Sequence, residues 1–317
     1  MENLNFMKKI LPILFLLGFV LSSHAQAGKI SAEGMLKLKE YEDTLSLCAF
    51  LVVNDSLPEE RFGTCKKLIT TLVQALKTEN SFNYKFDRLK SVSIQYPPDS
   101  TFRIFTWQLY VDVDDYKYYG AIQMNTSKLQ LFPLIDRSSE VESEAYDILT
   151  PEKWYGSVYY NLRQFDAPEG SKYLLFGYDG FSFFNRRKVV DVLSFKEGKP
   201  VFGAPVFVQT DSLGTQTIRN RLMLEFSAEA SFKLNYDETW GLIIFDHLTP
   251  MAGSYGQGPM MVPDGTYEGY KLENGRWHWV EKFWTETMEE APRPEPVLDS
   301  RGEKDVFGKE KKRKIKE

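Results

Sequence analysis

Side chains that commonly carry out enzymatic chemistry are few in this chain, which has 317 residues, three histidines and two cysteines. His247 lies in the stretch FDHLTPMAGSYGQGPMMVPDGTYEGY, residues 245–270, together with a glycine-rich loop and a methionine pair. His24 lies in an N-terminal segment that we expect to be removed, so the mature chain keeps only His247 and His278. A three-histidine zinc centre is therefore excluded, and the chain contains no HExxH helix.

The same stretch does not match the patterns of a nucleophile, a copper site or a phosphate loop. Ser254 has a glycine immediately before it, so the GxSxG pattern is not met. Met260 and Met261 could join His247 as soft copper ligands, but adjacent residues point apart in an extended chain, and core-filling methionines are the favoured interpretation. No GK[ST] follows the glycines. We predict no metal and no cofactor, and we interpret the stretch as a long connection between two strands that can carry a binding function.

Carboxylates are the remaining chemical groups; the chain has 44 Asp and Glu residues, and two short acidic stretches are candidate sites. Asp112, Asp114 and Asp115 offer hard oxygen ligands, but the calcium-loop glycine and glutamate are missing, so a hairpin turn is predicted. Asp179 stands next to a glycine in GYDGFSFFN, which is typical of a turn. Carboxylate-based hydrolysis of glycans stays an alternative, because the separation of about 5 to 10 Å that it needs is not visible in a sequence.

Aromatic residues make up 15% of the chain, which is many for one sheet-rich domain. Core packing is one interpretation, and an aromatic surface for a glycan or a peptide is the other. The candidate binding surface combines these rings with the 248–265 loop. Its predicted members are Trp107, Tyr118, His247, Tyr255, Trp277 and Trp279.

The N-terminus has the three parts of a secretory signal peptide. Residues 7–27, MKKILPILFLLGFVLSSHAQA, contain two lysines, an apolar run and a small-residue end. The apolar run is too short to span a bilayer, so we expect cleavage and no transmembrane anchor. We therefore predict an exported protein, periplasmic or extracellular. The net charge of −5 is mild and predicts no nucleic-acid partner.

Two amphipathic helices are predicted at the start of the mature chain. Apolar residues recur at helical spacing from Ser31 to Val53 and from Leu57 to Lys77, with Pro58 tolerable in a first helical turn. Folding the helices back on each other sets Cys48 opposite Cys65. In an oxidising compartment this arrangement favours a disulfide, and two reduced, buried thiols are the alternative.

After Asn80 the pattern changes to period-two, aromatic-rich runs separated by turn residues, which predicts strands. FRIFTWQLYV (102–111) and YKYYGAIQM (116–124) form one predicted hairpin, and Asn274-Gly275 marks another. RLMLEFSAEASFKLNYD is either one long strand or two strands that bend at small residues. About ten strands are expected, so the fold class is α+β and mainly β: a helical hairpin followed by a large antiparallel β-sandwich or barrel.

Four phrases, TPEKWYGSVYYNL, LLFGYDGFSFFNRRKVVDVLSF, GKPVFGAPVF and GLIIFDHLTP, resemble a family of exported Bacteroidetes proteins of unknown function. The resemblance covers about residues 90–285. It implies an envelope setting and no activity, so it assigns no catalytic residues.

The predicted organisation has four parts: a signal peptide (1–27), the helical hairpin (28–80), an antiparallel β domain (81–285) and a disordered charged tail (286–317). The tail is poor in apolar residues, and its basic end predicts either a solubilising segment or a contact with anionic lipid, polymer or protein. We expect a non-enzymatic module that binds an envelope protein, a peptide or a glycan. A glycan hydrolase and a structural component of an envelope assembly are the alternatives.

Overall fold

The computed structural model describes residues 26–253 and 258–284. The predicted signal peptide, apart from its last two residues, lies outside these ranges, as do Tyr255 and the predicted tail. Within them the chain forms two α-helices and fifteen β-strands. The elements are α1 (Ala32–Asn54), α2 (Pro58–Leu76), β1 (Ser93–Gln95), β2 (Phe102–Asp112), β3 (Asp115–Met124), β4 (Leu131–Ile135), β5 (Val158–Ala167), β6 (Gly170–Asp179), β7 (Asn185–Lys196), β8 (Lys199–Phe202), β9 (Phe207–Thr210), β10 (Gln216–Arg219), β11 (Leu222–Ser227), β12 (Leu234–Asp237), β13 (Leu242–Ala252), β14 (Pro259–Glu273) and β15 (Arg276–Trp284).

The strands form three sheets. The helix-side sheet has the order β1-β2-β3-β4, and the central sheet has the order β11-β7-β6-β5 with β8 also paired to β7. The outer sheet has the order β10-β9-β15-β14-β13-β12. Strand pairs are antiparallel except β15 with β9. Among the described residues each sheet keeps two edge strands, so the predicted α+β class is confirmed and the sandwich is the correct alternative.

Three hydrophobic cores separate four layers. The helices pack on one face of β2 through Phe105, Trp107 and Leu109, and the opposite face of β2 packs on the central sheet through Phe102 and Ile104. A third core fills the space between the central and outer sheets. The order of the layers is therefore helices, helix-side sheet, central sheet, outer sheet.

The central sheet is buried on both faces, which explains the nearly continuous apolar runs of its strands. On β6, Tyr173 and Leu175 pack towards the helix-side sheet, whereas Leu174 and Phe176 pack towards the outer sheet. A strand that is covered on both sides needs apolar residues at odd and even positions alike. The run YLLF in this strand meets that need.

The helical hairpin forms as predicted. The Ser31 hydroxyl accepts a hydrogen bond from the amide of Gly34 at 3.0 Å and caps α1. Pro58 occupies the first turn of α2, where its missing N–H costs no hydrogen bond. The leucines that gave the helical period, such as Leu38, Leu45 and Leu68, are fully buried.

The predicted Cys48–Cys65 disulfide is not formed, and both residues are buried free thiols. The sulfur of Cys65 is directed at the helix-side sheet, where it accepts a hydrogen bond from Nε1 of Trp107 at 3.5 Å. Burial raises the pKa of both thiols, which disfavours the thiolate that disulfide exchange requires. The alternative of two reduced, buried thiols describes the structure.

The run from Leu222 to Tyr236 forms two strands that belong to different sheets. β11 pairs with β7 in the central sheet, whereas β12 pairs with β13 in the outer sheet. Phe226 and Phe232 stack with ring centroids 4.9 Å apart inside the core between these sheets. The apolar side of the run faces one core throughout because the chain crosses that core between the two strands.

The expectation that residues 248–265 form a long loop is wrong, because most of them extend the β13–β14 hairpin. The paired residues are Leu248 with Pro263, Pro250 with Met261 and Ala252 with Pro259. Antiparallel pairs alternate between hydrogen-bonded and non-hydrogen-bonded types. The amide of Gly253 donates to the carbonyl of Gly258, which makes the next pair the hydrogen-bonded type. All three prolines therefore occupy positions where a strand needs no N–H, and they do not break the ladder.

Candidate functional site

A polar cleft opens between the helix-side sheet and the central sheet at one end of the sandwich. Its volume is about 290 Å³. We call it the Asp179 cleft. The lining side chains that the following paragraphs use are Asp114, Tyr118, Asp136, Ser138, Glu144, Tyr155, Asp179, Phe181 and Arg187.

Asp179 forms the floor of the cleft at the end of β6. The hydroxyls of Tyr118 and Tyr155 donate to its two carboxylate oxygens at 2.9 and 2.7 Å, and the amide of Phe181 donates at 2.9 Å. The hydroxyl of Tyr118 also accepts a hydrogen bond from the amide of Gly180 at 2.7 Å. Two tyrosines from separate segments thus hold one buried carboxyl group.

Burial controls the protonation of this group. It raises the pKa of Asp179 despite the three hydrogen bonds that favour the ionised carboxylate. Burial, and then the nearby Asp179 charge, raises the pKa of Tyr118 and of Tyr155 far above the ordinary range. The phenols therefore remain protonated donors at every physiological pH.

Arg187 closes one wall of the cleft from β7. Its guanidinium contacts the carboxylates of Glu144 and Glu225 at 2.8 and 2.9 Å and donates to the Tyr155 hydroxyl at 3.2 Å. Its Cζ lies 3.4 Å from the centre of the Phe181 ring. Arg187 is thus already compensated, and it serves to position Tyr155 and Phe181.

The turn after β6 has an unusual backbone. Phe181 has φ of 45°, a value that bulky side chains rarely adopt. The hydrogen bond of its amide to Asp179 and the contact of its ring with Arg187 compensate that strain. Because these contacts fix the turn, the residues on both sides of it have fixed positions at the cleft. Strained backbone that is held by its surroundings is often found at binding sites.

Asp136 lines the opposite wall, directly after β4. Its carboxylate accepts hydrogen bonds from the Tyr118 amide at 2.9 Å and from the amide and hydroxyl of Ser138 at 3.1 and 2.6 Å. Asp114 accepts a hydrogen bond from the amide of Phe183 at 2.5 Å. Within the described chain no cation lies within ion-pair distance of Asp114, Asp136 or Asp179. The cleft therefore has more acceptors and negative charge than its own cations balance.

An exposed aromatic pair stands at the rim. Phe183 and Phe184 meet edge to face with ring centroids 4.9 Å apart, and Phe183 is 57% exposed. Tyr110 and Tyr116 form a second, tilted pair at 5.6 Å, next to the β2–β3 turn. The hydrogen bond from the Phe183 amide to Asp114 holds the Phe183–Phe184 pair beside the β2–β3 turn.

The structure separates the residues of the predicted binding surface. Trp107 is buried under the helices, and Trp277 is buried between the central and outer sheets. Tyr118 lies at the floor of the Asp179 cleft. For the two tryptophans, core packing is what the structure shows, because their rings have almost no contact with solvent.

Of the members that the structure describes, which exclude Tyr255, only His247 and Trp279 come together, on the outer sheet. Both contact the carboxylate of Glu268, His247 through Nδ1 at 2.5 Å and Trp279 through Nε1 at 3.3 Å. Met260 is buried and accepts a hydrogen bond from the Ser227 hydroxyl, which agrees with a packing role.

Most of the cleft was not predicted from the sequence. Both acidic clusters were interpreted as turns, and each is a turn, yet the fold brings Asp114 and Asp179 to one cleft. Tyr155 and Arg187 carried no local signal. The Phe183-Phe184 dipeptide, in the same predicted turn as Asp179, was an available indication, because large apolar residues in a surface turn can mark a binding site.

No helix in the described parts of the chain combines the length and the hydropathy that crossing a bilayer requires. Within the same ranges no group of three or more His, Cys, Asp and Glu side chains is placed to hold a metal ion. No protein-family profile, curated protein or solved structure matches this chain.

Proposed function

We propose that this protein is an exported envelope protein that binds a hydroxyl-rich ligand, such as a glycan chain, in the Asp179 cleft. The observation that carries the proposal is the combination of acceptor carboxylates in the cleft with exposed aromatic rings at its rim. Sugar hydroxyls donate to carboxylates, and the apolar faces of sugar rings pack on aromatic side chains.

The signal-like residues 7–27 and the resemblance to exported Bacteroidetes proteins support the envelope setting. Periplasmic or extracellular location is tested by fractionating cells that produce the full chain and measuring the intact mass of the recovered protein. Loss of about the first 25 to 27 residues is expected. Recovery of the uncleaved chain from the cytoplasm would contradict export.

Binding is tested by isothermal titration calorimetry with maltohexaose, xylohexaose and laminarihexaose. We expect at least one of them to bind, and Phe183→Ala to weaken that binding about two- to twelvefold, because an aromatic contact contributes about 0.5 to 1.5 kcal/mol. Phe50→Ala is the matched control, because Phe50 on α1 is equally exposed at 57%. Equal loss in both variants, or no binding of any of the three sugars, would contradict a glycan site at the cleft.

Hydrolysis of the bound glycan is the second candidate, and the raised pKa of Asp179 favours it. A raised pKa increases the protonated fraction of a carboxyl at a given pH, and the protonated form can act as a general acid towards a glycosidic oxygen. In that case the wild type releases new reducing ends from the hexasaccharide that binds, and Asp179→Asn abolishes the release while binding persists. Binding without any release at pH 4 to 8 would leave the binding function and eliminate the hydrolase.

A further inference from the structure

A second cavity lies between the edge of the central sheet and the face of the outer sheet. Its volume is about 230 Å³. We call it the Arg219 pocket. The side chains that matter for its chemistry are Arg219, Leu222, Leu224, Phe245, Tyr270 and Trp279. It shares no lining residue with the Asp179 cleft.

The walls of this pocket are mainly apolar and aromatic. Leu222, Phe245 and Tyr270 belong to the core between the central and outer sheets, and Leu224 and Trp279 pack against that core while staying partly exposed. The rings of Phe245 and Tyr270 stack with centroids 6.2 Å apart. Such walls favour a ligand with an apolar body, because burial of apolar surface is the main source of its affinity.

Among the described residues that line the pocket, the one cation is Arg219, at the end of β10. Its Nη1 donates to the side-chain oxygen of Gln209 at 2.8 Å. Burial raises the pKa of Tyr270 and the nearby Arg219 charge lowers it, which places the guanidinium close to the Tyr270 hydroxyl. Both of these neighbours are uncharged. Across residues 26–253 and 258–284 no carboxylate lies within ion-pair distance of Arg219. A guanidinium has five N–H donors, so donors are left for an anion.

The acid of the pocket, Glu268, has other partners than this arginine. Both carboxylate oxygens of Glu268 already have partners, His247 Nδ1 at 2.5 Å and Trp279 Nε1 at 3.3 Å. The contact with Glu268 also orients Trp279, whose ring forms part of the wall. The pocket thus presents a guanidinium that no carboxylate of the described residues contacts, beside an apolar surface.

We propose that the Arg219 pocket binds a small amphipathic carboxylate, with the carboxylate paired to Arg219 and an aromatic or branched aliphatic body against Leu224, Phe245 and Trp279. Arginine is suited to this because its planar fork pairs with a carboxylate through two parallel hydrogen bonds. The volume lies just below the range of about 300 to 1,000 Å³ for drug-sized ligands, so a fragment-sized molecule is expected.

The probe is 3-phenylpropanoate, compared with the uncharged 3-phenylpropanamide and the cationic 3-phenylpropylamine. Binding is followed by ligand-observed saturation-transfer NMR and titrated by calorimetry. We expect the carboxylate to bind with a dissociation constant of about 1 mM or tighter, and the amide and the amine to bind at least about tenfold more weakly. Arg219→Gln should weaken binding of the carboxylate at least about tenfold and leave binding of the amide nearly unchanged.

Arg163→Gln is the control for net charge, because Arg163 lies outside the pocket and pairs with Glu238. It should leave binding of 3-phenylpropanoate unchanged. Thermal melts of both variants show whether they are folded, and the amide, which does not need the guanidinium charge, reports whether the apolar walls of Arg219→Gln are intact. Preference for the amine, equal binding by wild type and Arg219→Gln, or no binding of any probe to the wild type would overturn the proposal. These results do not depend on whether the Asp179 cleft binds sugars.

Discussion

Asp179 connects the chemistry of the cleft to the stability of the fold. Because burial raises its pKa above the ordinary value of 3.8, the folded protein holds this proton more tightly than the unfolded chain does. The contribution of Asp179 to the free energy of unfolding is therefore complete below pH 3.8 and declines as the pH rises through the raised pKa.

Asp179→Asn removes that titration. We expect the free energy of unfolding of the wild type, minus that of Asp179→Asn, to be largest near about pH 3 and to fall towards pH 7. Tyr155→Phe removes a donor to the ionised Asp179 carboxylate. The free energy of unfolding of this variant should therefore decline more steeply with pH than that of the wild type. Urea denaturation across this pH range measures both effects. A difference that stays constant or grows with pH would show that Asp179 is not protonated more readily in the fold.

Asp191 and Arg221 form an ion pair in the interior, with side chains only 1% and 0% exposed and Nε to Oδ2 at 2.9 Å. Breaking a buried pair leaves one charge without a partner, so Asp191→Asn and Arg221→Met should each cost about 3 to 5 kcal/mol. The double variant should lose much less than the sum, because no isolated charge remains. Chemical denaturation of all four proteins gives the coupling. Additive losses would mean that the two charges do not stabilise each other.

At the scale of elements, the β14–β15 turn shows how far a local signal extends. Asn274 and Gly275 have φ of 52° and 77°, as the Asn-Gly pattern predicts for a two-residue hairpin turn. The structure adds a contact that the pattern does not contain. A Cβ at Gly275 would lie 2.5 Å from Cδ of Pro168 and 3.0 Å from Cα of Ala167.

Gly275→Ala should therefore destabilise the protein more than Gly214→Ala does. Gly214 has a similar φ of 83° but nothing within 4 Å of an added Cβ, so its substitution carries only the backbone strain of about 1 to 2 kcal/mol. Thermal melts of the two variants compare the costs directly. An equal loss of stability in the two variants would indicate that the β5–β6 connection around Pro168 moves enough to accommodate the added methyl group.

Elements with a local signature were predictable, and arrangements that depend on sheet packing were not. Helical spacing identified both helices, and alternation identified the β2–β3 hairpin, since each signal lies within one segment. The extension of β13 and β14 was not predicted because it contains prolines at 250, 259 and 263. A proline disrupts a strand only where its register with the partner strand requires an N–H donor. Asp114 and Asp179 line the same cleft because of the way two sheets stack, and the stacking of sheets cannot be predicted from a short stretch of sequence.

At the scale of the whole molecule, each layer covers a face of the next. The helices cover the side of β2 that carries Trp107, and the central sheet loses cover on one face if either neighbouring sheet detaches. Exposure of such apolar faces is costly, at about 25 cal/mol per Å². The predicted hairpin segment 28–80 therefore shares its core with the predicted β domain.

The shared core predicts that the layers unfold together. Ellipticity at 222 nm, which is dominated by the helices, and tryptophan fluorescence, to which the sheet residues Trp107 and Trp277 contribute, should change at the same urea concentration. Leu45→Ala on α1, which removes a fully buried side chain at a cost of about 2 to 5 kcal/mol, should shift both signals equally. If the helical signal alone moved to lower urea, residues 28–80 would unfold as a separate unit. If both unfolding midpoints shift together, the loss of packing under the helices destabilises the outer sheet as well, through the central sheet that lies between them.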